Sequence, residues 1–553
     1  MRIVPPFLLA LALLAPGAGT LAADPAAREA RVEQALHEHT AELAGDAYEG
    51  RAPGTPGEEK TLAYLVKTFE ALGAEPGNDG QWFQDVPITS VTTNPETALI
   101  IEGGSYGRTL AYGTEVLPFT RRQVEQVAIT DSPLVFVGYG INAPERGWND
   151  YAGIDVHGKT VVMLINDPGF ATGDPALFNG RAMTYYGRWD YKFDEAARQG
   201  AAGAIIVHET EPAAYPWGVV RNSWSGANIG LTAANANTDK AAVEAWVTVD
   251  TARELFAAAS LDYDAARAAA AAPGFEAVPL GDLRASIALE NTLSSTLSRN
   301  VAALIPGGEH ADEAIVYTAH WDHLGKHEDE SGDNIYNGAS DNASGVAGLF
   351  ALAGLYGDRP TRPERSILFL AVTAEESGLL GSKWYSEHPI FPPAKTVANF
   401  NMDNIAAGTI GRTRDIAVVG YGNSELEDYL ARAAEQQGRV IVQEPYPEKG
   451  YYYRSDHFSL ARIGIPALYL TSATDSVAHG KAWGDARLKD YTANHYHKPS
   501  DEYSPDWNLA GAAQEVMLLY LMGSELADNR DFPAWREGVE FRAIREASLA
   551  RGR

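Results

Sequence analysis

Two short apolar runs, each followed by a histidine or acidic side chain, narrow the folds that are open to this sequence. Ile315–Thr318 and Ile367–Val372 are rich in β-branched and large apolar residues and contain no charge, which predicts two buried strands. His320 follows the first run and Glu375 follows the second. In open α/β sheets ligands collect outside the carboxyl ends of the strands, so this pattern predicts a site at one edge of a sheet.

Further apolar runs continue this alternation of strands and helices. Val397–Asn401 and Ala467–Leu470 are predicted strands, and apolar residues at helical spacing predict a helix over Val346–Leu355. The alternation predicts an α/β fold in which a mostly parallel (mixed) sheet is flanked by helices on both sides.

The length of the chain, 553 residues, predicts more than one domain. The residue pattern of the sequence changes at about residue 125. From there, strand-like and helical segments follow one another without a cluster of metal-binding types of side chain. We predict that residues 125–272 form a smaller, β-rich α/β domain. It is inserted between a first part of the main domain, 24–124, and its main part, 278–527. Residues 528–553 are predicted to be a charged and partly ordered tail.

The N-terminal segment and the composition bear on localisation. Residues 1–23 combine Arg2, an apolar run and a small-residue end, which is the pattern of a removable signal peptide. We therefore expect an exported protein, periplasmic or secreted, with no membrane anchor in the mature chain. The sequence has no cysteine, which excludes disulfides and a lipid-modified cysteine. Its net charge of −29 argues against nucleic acid as a partner.

Side chains of the types that bind metals recur along the main domain, at strand ends or in polar loops. They are His320, Asp341, Glu376, Asp403 and His497. Histidine and carboxylate ligands are typical of zinc and related divalent metals. Five ligands suffice for two metals if one carboxylate bridges them, because each catalytic metal takes about three protein ligands and leaves a position for water.

Two acidic residues beside this set have different predicted roles. Asp322 follows His320 closely enough for its carboxylate to orient the imidazole. Glu375 and Glu376 are adjacent at a strand end, so their side chains point in different directions. One of them can therefore bind metal while the other accepts a proton from water.

The motifs that carry these residues resemble those of a known family. In chain order they are H-W-D, S-D-N-A-S-G, E-E-S-G-L-L-G-S, N-M-D and Y-H-K-P-S-D. Together they resemble the co-catalytic zinc aminopeptidases of metallopeptidase family 28, which also holds the glutamate carboxypeptidases. The resemblance covers roughly residues 28–120 and 278–525. The segment D-E-A-A-R-Q-G-A-A-G-A-I-I-V within 125–272 resembles a protease-associated domain.

The resemblance implies a role for each candidate residue and two Zn²⁺ ions per chain. By this resemblance Asp341 bridges the metals, Glu376 and His497 complete one site, and His320 and Asp403 complete the other. It also implies that Glu375 is the general base, that Asp322 supports His320 and that Tyr453 stabilises the oxyanion. The implied activity is hydrolysis of N-terminal residues from peptide substrates.

The sequence leaves several alternatives open. A glutamate-carboxypeptidase-like or dipeptidase activity fits the same ligands, with Arg454 as a candidate clamp for a terminal carboxylate. A receptor-like binding protein without catalysis is a further alternative. Cobalt or manganese could replace zinc, and the preferred side chain, the oligomeric state and the role of the inserted segment are open.

A serine hydrolase is a second enzyme class to consider. Gly103–Gly107 fits the pattern G-x-S-x-G, which in such enzymes places the serine on a turn that leads directly into a helix. The residues that follow lack helical spacing and contain another glycine. We therefore predict a hairpin turn at this position.

Overall fold

The computed structural model describes residues 25–327 and 331–552. The predicted signal peptide, 1–23, lies outside the described residues. Within the described ranges, no helix is both long enough and apolar enough to cross a membrane.

The helices and strands follow one another along the described chain within two α/β units. The helices are α1 (Pro25–Leu43), α2 (Pro56–Ala71), α3 (Pro168–Thr172), α4 (Trp189–Arg198), α5 (Thr210–Ala213), α6 (Trp217–Trp224), α7 (Val249–Ala258), α8 (Tyr263–Ala270), α9 (Ser344–Gly357), α10 (Leu380–Glu387), α11 (Leu426–Gln437), α12 (His457–Arg462), α13 (Lys481–Asn494), α14 (Ala510–Asp528) and α15 (Arg542–Gly552). The strands are β1 (Glu75–Pro76), β2 (Phe83–Thr93), β3 (Leu99–Gly103), β4 (Tyr106–Leu110), β5 (Val116–Phe119), β6 (Gln126–Phe136), β7 (Asn142–Ala143), β8 (Trp148–Asn149), β9 (Thr160–Leu164), β10 (Gly203–His208), β11 (Ala227–Leu231), β12 (Val243–Thr248), β13 (Val278–Ile305), β14 (His310–His320), β15 (Gly325–Lys326), β16 (Ile335–Tyr336), β17 (Arg365–Val372), β18 (Thr396–Asn401), β19 (Asp415–Val419), β20 (Val440–Gln443) and β21 (Ala467–Thr471).

The main sheet is mixed and has a parallel centre, as predicted. Strands β17, β14, β18 and β21 are parallel neighbours in that order, with antiparallel β13 beside β17 and antiparallel β19 beside β21. Every residue of β17 is buried, which explains the uncharged, apolar run Ile367–Val372 within it. Its alternate side chains face two layers: Ile367 and Phe369 pack with α9 and α14, whereas Leu368 and Leu370 pack with α10 and α12.

The second unit has a sheet of its own, in the order β4, β3, β13, β6, β9, β10, β12, β5. Its centre is parallel, and helices α7 and α8 cover one face while α4 and α6 pack on the other. The sequence placed β3, β4 and β5 in the main domain, with the boundary at residue 125. These strands pair within the second sheet instead, so the second unit begins earlier than predicted. Sequence spacing alone does not reveal which of two sheets a strand joins.

One long strand, β13, belongs to both sheets. Its first half pairs with β6 and β3, and its second half pairs with β2 and then β17. Strand β11 from the second unit pairs with the opposite edge of β2. The two units are therefore joined by continuous hydrogen-bonded strands rather than by a flexible linker.

The motif at Gly103–Gly107 forms the predicted hairpin turn. Strands β3 and β4 pair with Gly103 opposite Tyr106, and Gly104 has a φ of 59°. Strand β4 rather than a helix follows Ser105, so this serine does not sit on a nucleophile elbow.

The C-terminal residues 528–552 contain buried side chains, although the charge of 528–553 predicts a partly ordered tail. Trp535 is 1% exposed and donates its indole N–H to Gly464 O at 3.0 Å. Arg545 in α15 is equally buried and donates to Pro393 O at 2.7 Å. A few buried anchors are enough to pack a segment whose average composition is polar.

Candidate metal centre

The candidate ligands converge at the carboxyl edge of the main sheet. His320 is the last residue of β14, and Asp403 follows β18. Glu376 follows β17, whereas Asp341 lies in the irregular turn before α9. His497 comes from the loop after α13. Because β14, β17 and β18 are parallel, their carboxyl ends meet at one edge, as the sequence predicted.

Asp341 stands between the two histidines. Its Oδ1 lies 3.3 Å from His320 Nε2, and its Oδ2 lies 3.2 Å from His497 Nε2. A second carboxylate completes each side: Asp403 Oδ1 lies 3.4 Å from His320 Nε2, and Glu376 Oε2 lies 3.0 Å from His497 Nε2. Each oxygen of Asp341 thus faces one half of a paired site.

The donor atoms fit a pair of metal ions. His320 Nδ1 lies 3.1 Å from Asp322 O, a carbonyl that can only accept, so a neutral His320 turns the lone pair of Nε2 toward Asp341 and Asp403. His497 Nε2 is buried and makes no hydrogen bond, although it faces two carboxylates. Two atoms bound to one tetrahedral zinc at about 2.0–2.1 Å lie about 3.3–3.4 Å apart, close to these separations.

The charge balance also favours cations at this place. Burial alone would lower the pKa of His497, but the neighbouring Glu376 and Asp341 carboxylates raise it to about 10. Burial would also lower the pKa of His320, but the carboxylates of Glu375, Asp341 and Asp403 outweigh it and raise this pKa well above its ordinary value. Buried carboxylates in this number require positive charge between them, which protons or metal ions can supply.

Asp322 contacts His320 more closely through its backbone carbonyl than through its carboxylate. Its carboxylate was expected to orient His320, but its Oδ1 lies 3.8 Å from His320 Nδ1, and the backbone carbonyl of Asp322 makes the contact instead. The carboxylate accepts hydrogen bonds from the backbone N–H groups of Glu375 and Glu376, at 3.1 and 3.3 Å. Asp322 therefore ties the end of β17 to the end of β14.

Glu375 and Glu376 take separate positions in the cluster. His320, Glu375 and Glu376 can each place one ligand atom within 4.8 Å of the others. Glu376 faces His497 and also bonds His323, whereas the side chain of Glu375 makes no hydrogen bond within the described part of the chain. Burial raises the pKa of the Glu375 carboxyl well above its ordinary value. This combination leaves Glu375 available to exchange a proton.

Three further residues contact the candidate ligands or Asp341. His323 Nδ1 lies 2.7 Å from Glu376 Oε1. Ser455 donates its hydroxyl to Asp403 Oδ2 at 2.6 Å. Asp501 Oδ2 accepts the backbone N–H of Asp341 at 3.0 Å. The only sequence signal for them was their position within or beside the motifs, and that position does not indicate which ligand each one contacts.

Tyr453, which the resemblance implied for the oxyanion, faces another part of the molecule. Its hydroxyl lies 3.4 Å from Glu540 Oε1, and its ring packs against Phe458. Two other tyrosines lie at the candidate site. Tyr496 stacks on the His497 ring with centroids 3.9 Å apart, and the hydroxyl of Tyr469 lies 3.4 Å from Asp403 O. In a run of three tyrosines, sequence alone did not show which direction each ring takes.

Comparison with known proteins assigns the segment that carries these ligands. Residues 300–521 match the model of Peptidase family M28. This segment of the chain belongs to peptidase family M28. All the candidate ligands, together with Glu375 and Asp322, fall inside the matched residues, whereas most of the second unit lies outside them.

Individual relatives of this M28 segment match only in part. Aminopeptidase YwaD of Bacillus subtilis (strain 168) is 26% identical over 199 residues, which are 34% of this chain and 36% of that protein. Aminopeptidase NAALADL1 of Mus musculus is 32% identical over 139 residues, 24% of this chain and 17% of that protein. A solved aminopeptidase from Aneurinibacillus sp. strain AM-1 is similar with a TM-score of 0.48 and 20% identity, covering 91% of this chain and 96% of that one. The matched segments thus span well under two thirds of the two curated relatives.

Proposed function

We propose that this protein is an aminopeptidase that uses two zinc ions to remove N-terminal residues from peptides. The observation that carries the proposal is the position of Asp341, whose two oxygens each face a histidine and a further carboxylate. His320 and Asp403 would hold one ion, and His497 and Glu376 the other, with Asp341 shared. Nitrogen and carboxylate ligands in this number suit zinc.

Glu375 is the proposed general base. Bound at these ligands, a metal pair supplies Lewis acidity to the scissile carbonyl and lowers the pKa of water. Glu375 accepts the proton of the attacking water and delivers it to the leaving amine. Asp322 fixes the backbone of Glu375, so the base is held by the same segment that carries His320.

The side chains of the site suit an N-terminal substrate end. The walls carry Asp341, Glu375, Glu376 and Asp403, whose carboxylate oxygens can accept hydrogen bonds from a free α-ammonium group, while two Zn²⁺ ions would balance their summed charge. A carboxypeptidase would need a cationic clamp, for which Arg454 was the sequence candidate. Arg454 is exposed, and its guanidinium lies 5.4 Å over the Tyr451 ring. YwaD and NAALADL1 are both named aminopeptidases, which also supports cleavage at the N-terminal end of the substrate.

The decisive experiment uses two versions of one peptide, acetylated at the N-terminus or amidated at the C-terminus. We expect release of the first residue from the amidated peptide and no cleavage of the acetylated one. A chelator should abolish the activity, and added zinc should restore it. Cleavage of only the acetylated peptide would indicate a carboxypeptidase. Zinc binding without cleavage of either would favour the receptor-like alternative.

The number of metals is tested separately. Elemental analysis of the purified protein should find two zinc ions per chain, and Asp341→Asn should reduce both, because its carboxylate is shared. Asp403→Asn should reduce only the ion on the His320 side. An active preparation without bound metal would contradict the proposal.

Two further parts of the proposal concern the remainder of the chain. We propose that residues 1–23 direct export, and that the second unit is a protease-associated domain. A fusion of residues 1–23 to a reporter should be exported and shortened near Ala23. The insertion of this unit between parts of the main domain supports the second statement.

A further inference from the structure

A buried arginine lies directly behind the candidate metal centre. Arg51 is 1% exposed and ends the short turn Asp46–Arg51 that follows α1. The turn fits closely against the loops near the site: a Cβ on Gly50 would lie 2.5 Å from Gly325 O and 2.6 Å from Tyr336 O. Glycine at position 50 therefore lets the Arg51 backbone approach those loops.

Among the described residues, the guanidinium of Arg51 donates only to backbone carbonyls. Its Nε bonds Trp321 O at 2.9 Å, its Nη1 bonds Asn337 O at 2.6 Å, and its Nη2 bonds Gly338 O at 2.9 Å. A further bond from Nη1 reaches Leu43 O at 2.7 Å. A planar group with several fixed donors can hold three chain segments in one arrangement, which a lysine cannot reproduce.

These carbonyls belong to the loops that carry the ligands. Trp321 is the residue between His320 and Asp322, and Gly338 is three residues before Asp341. The segment of one histidine ligand is thereby joined to the turn of the proposed bridging carboxylate. The distance between His320 Nε2 and Asp341 Oδ1, 3.3 Å, depends on this relative placement.

The positive charge of Arg51 has no carboxylate within ion-pair distance among the described residues. Burial lowers the pKa of Arg51 to about 10, against the attraction of Asp322, Asp501 and Asp341, so the group stays charged at neutral pH. A fixed cation behind several carboxylates offsets part of their repulsion when the metals are absent.

We propose that Arg51 is a positioning residue of the metal centre: by joining the His320–Asp322 segment to the Asn337–Asp341 turn, it sets the affinity for zinc. The inference rests on the proposed function, because it presumes that these residues bind metal. It assigns a role to a part of the chain that lies outside the M28 match, 300–521.

Arg545 is a matched control, since it is a buried arginine remote from the ligands. It is 1% exposed, it donates to Pro393 O and Val397 O, and burial lowers its pKa to about 10 as well. Replacing either arginine by methionine removes a buried cation and leaves carbonyl groups without a donor. Only the change at Arg51 should disturb the ligand loops.

The test measures zinc affinity of the full chain by competition with a chelator of known affinity, together with the melting temperature. We expect Arg51→Met to bind zinc about 10- to 100-fold more weakly, the range found when groups that orient metal ligands are removed. Arg545→Met should lose thermal stability and keep wild-type affinity. Wild-type affinity in Arg51→Met, or an equal loss in both variants, would overturn the inference.

A second pair of variants covers the case in which Arg51→Met does not fold. Arg51→Lys and Arg545→Lys keep the charge and lose part of the donor geometry. Weaker zinc binding in Arg51→Lys alone supports the inference, and unchanged binding overturns it. A wild-type protein that binds no zinc would overturn the proposed function as well, so the two failures are distinguishable.

Discussion

At the scale of single residues, Glu375 and Glu376 are neighbours in the chain that meet different partners. Glu376 contacts His497 and His323, as a metal ligand with a supporting hydrogen bond would. We expect Glu375→Gln to keep both zinc ions and lose about 10²- to 10⁴-fold in kcat, the usual contribution of a positioned base. Glu376→Gln should lose zinc instead. Paired rate and zinc measurements check this, and a near wild-type rate in Glu375→Gln would refute the assignment of the base.

A buried glutamate away from the site predicts a pH effect on stability. Glu515 in α14 is 4% exposed, and burial raises its pKa from 4.5 to about 8, although Arg439 lies 3.8 Å away. The folded state therefore keeps a proton that the unfolded chain loses between about pH 4.5 and 8. The stability that this proton contributes is complete below pH 4.5 and is lost as the pH rises through 8.

Replacing Glu515 by glutamine removes this dependence, because the amide does not titrate. We expect the wild-type melting temperature minus that of Glu515→Gln to decrease as the pH rises from 5.5 to 8.5. Glu525→Gln, on the same helix but with a side chain 45% exposed, is the control and should leave the pH profile unchanged. A constant difference between wild type and Glu515→Gln would show that Glu515 does not titrate in this range.

At the scale of elements, the C-terminal segment contributes a buried anchor to the main unit. Trp535 packs on Phe541 with ring centroids 5.3 Å apart and bonds Gly464 O. Trp535→Ala should destabilise the fold by about 3–5 kcal/mol, the cost of deleting a large buried aromatic side chain. Trp483→Ala, at a site 36% exposed, should change the melting temperature little. Similar melting temperatures for the two variants would contradict the packed position of Trp535.

The elements also show what the sequence could predict. Strands such as β14 and β17 were predictable because burial on both faces demands apolar runs, and the candidate ligands His320, Glu376 and Asp403 were proposed because they follow such runs. The contacts of Arg51 with Trp321, Asn337 and Gly338 were not, since they join residues more than 250 positions apart through backbone carbonyls, which leave no side-chain pattern. The direction of Tyr453 likewise depends on packing between distant segments.

At the scale of the whole molecule, the second unit touches the main unit near the candidate site. Tyr185 packs on Phe458 with ring centroids 5.4 Å apart, and the Met183 N–H donates to Pro447 O at 3.1 Å. Phe458 lies close in sequence to Ser455, whose hydroxyl donates a hydrogen bond to Asp403. A path of packed residues therefore runs from the second unit to one of the proposed ligands.

This contact predicts a local change when Tyr185 is truncated. Tyr185→Ala removes the packing on Phe458 and the ring under Arg462, whose guanidinium lies 5.8 Å from its centroid. The shared strand β13 keeps the two units joined, so we expect faster amide hydrogen exchange confined to residues 447–458 rather than global unfolding. Tyr421→Ala, at a site 49% exposed, is the control and should leave this exchange unchanged. Wild-type protection of 447–458 in Tyr185→Ala would show that the shared strands alone hold the two units in place.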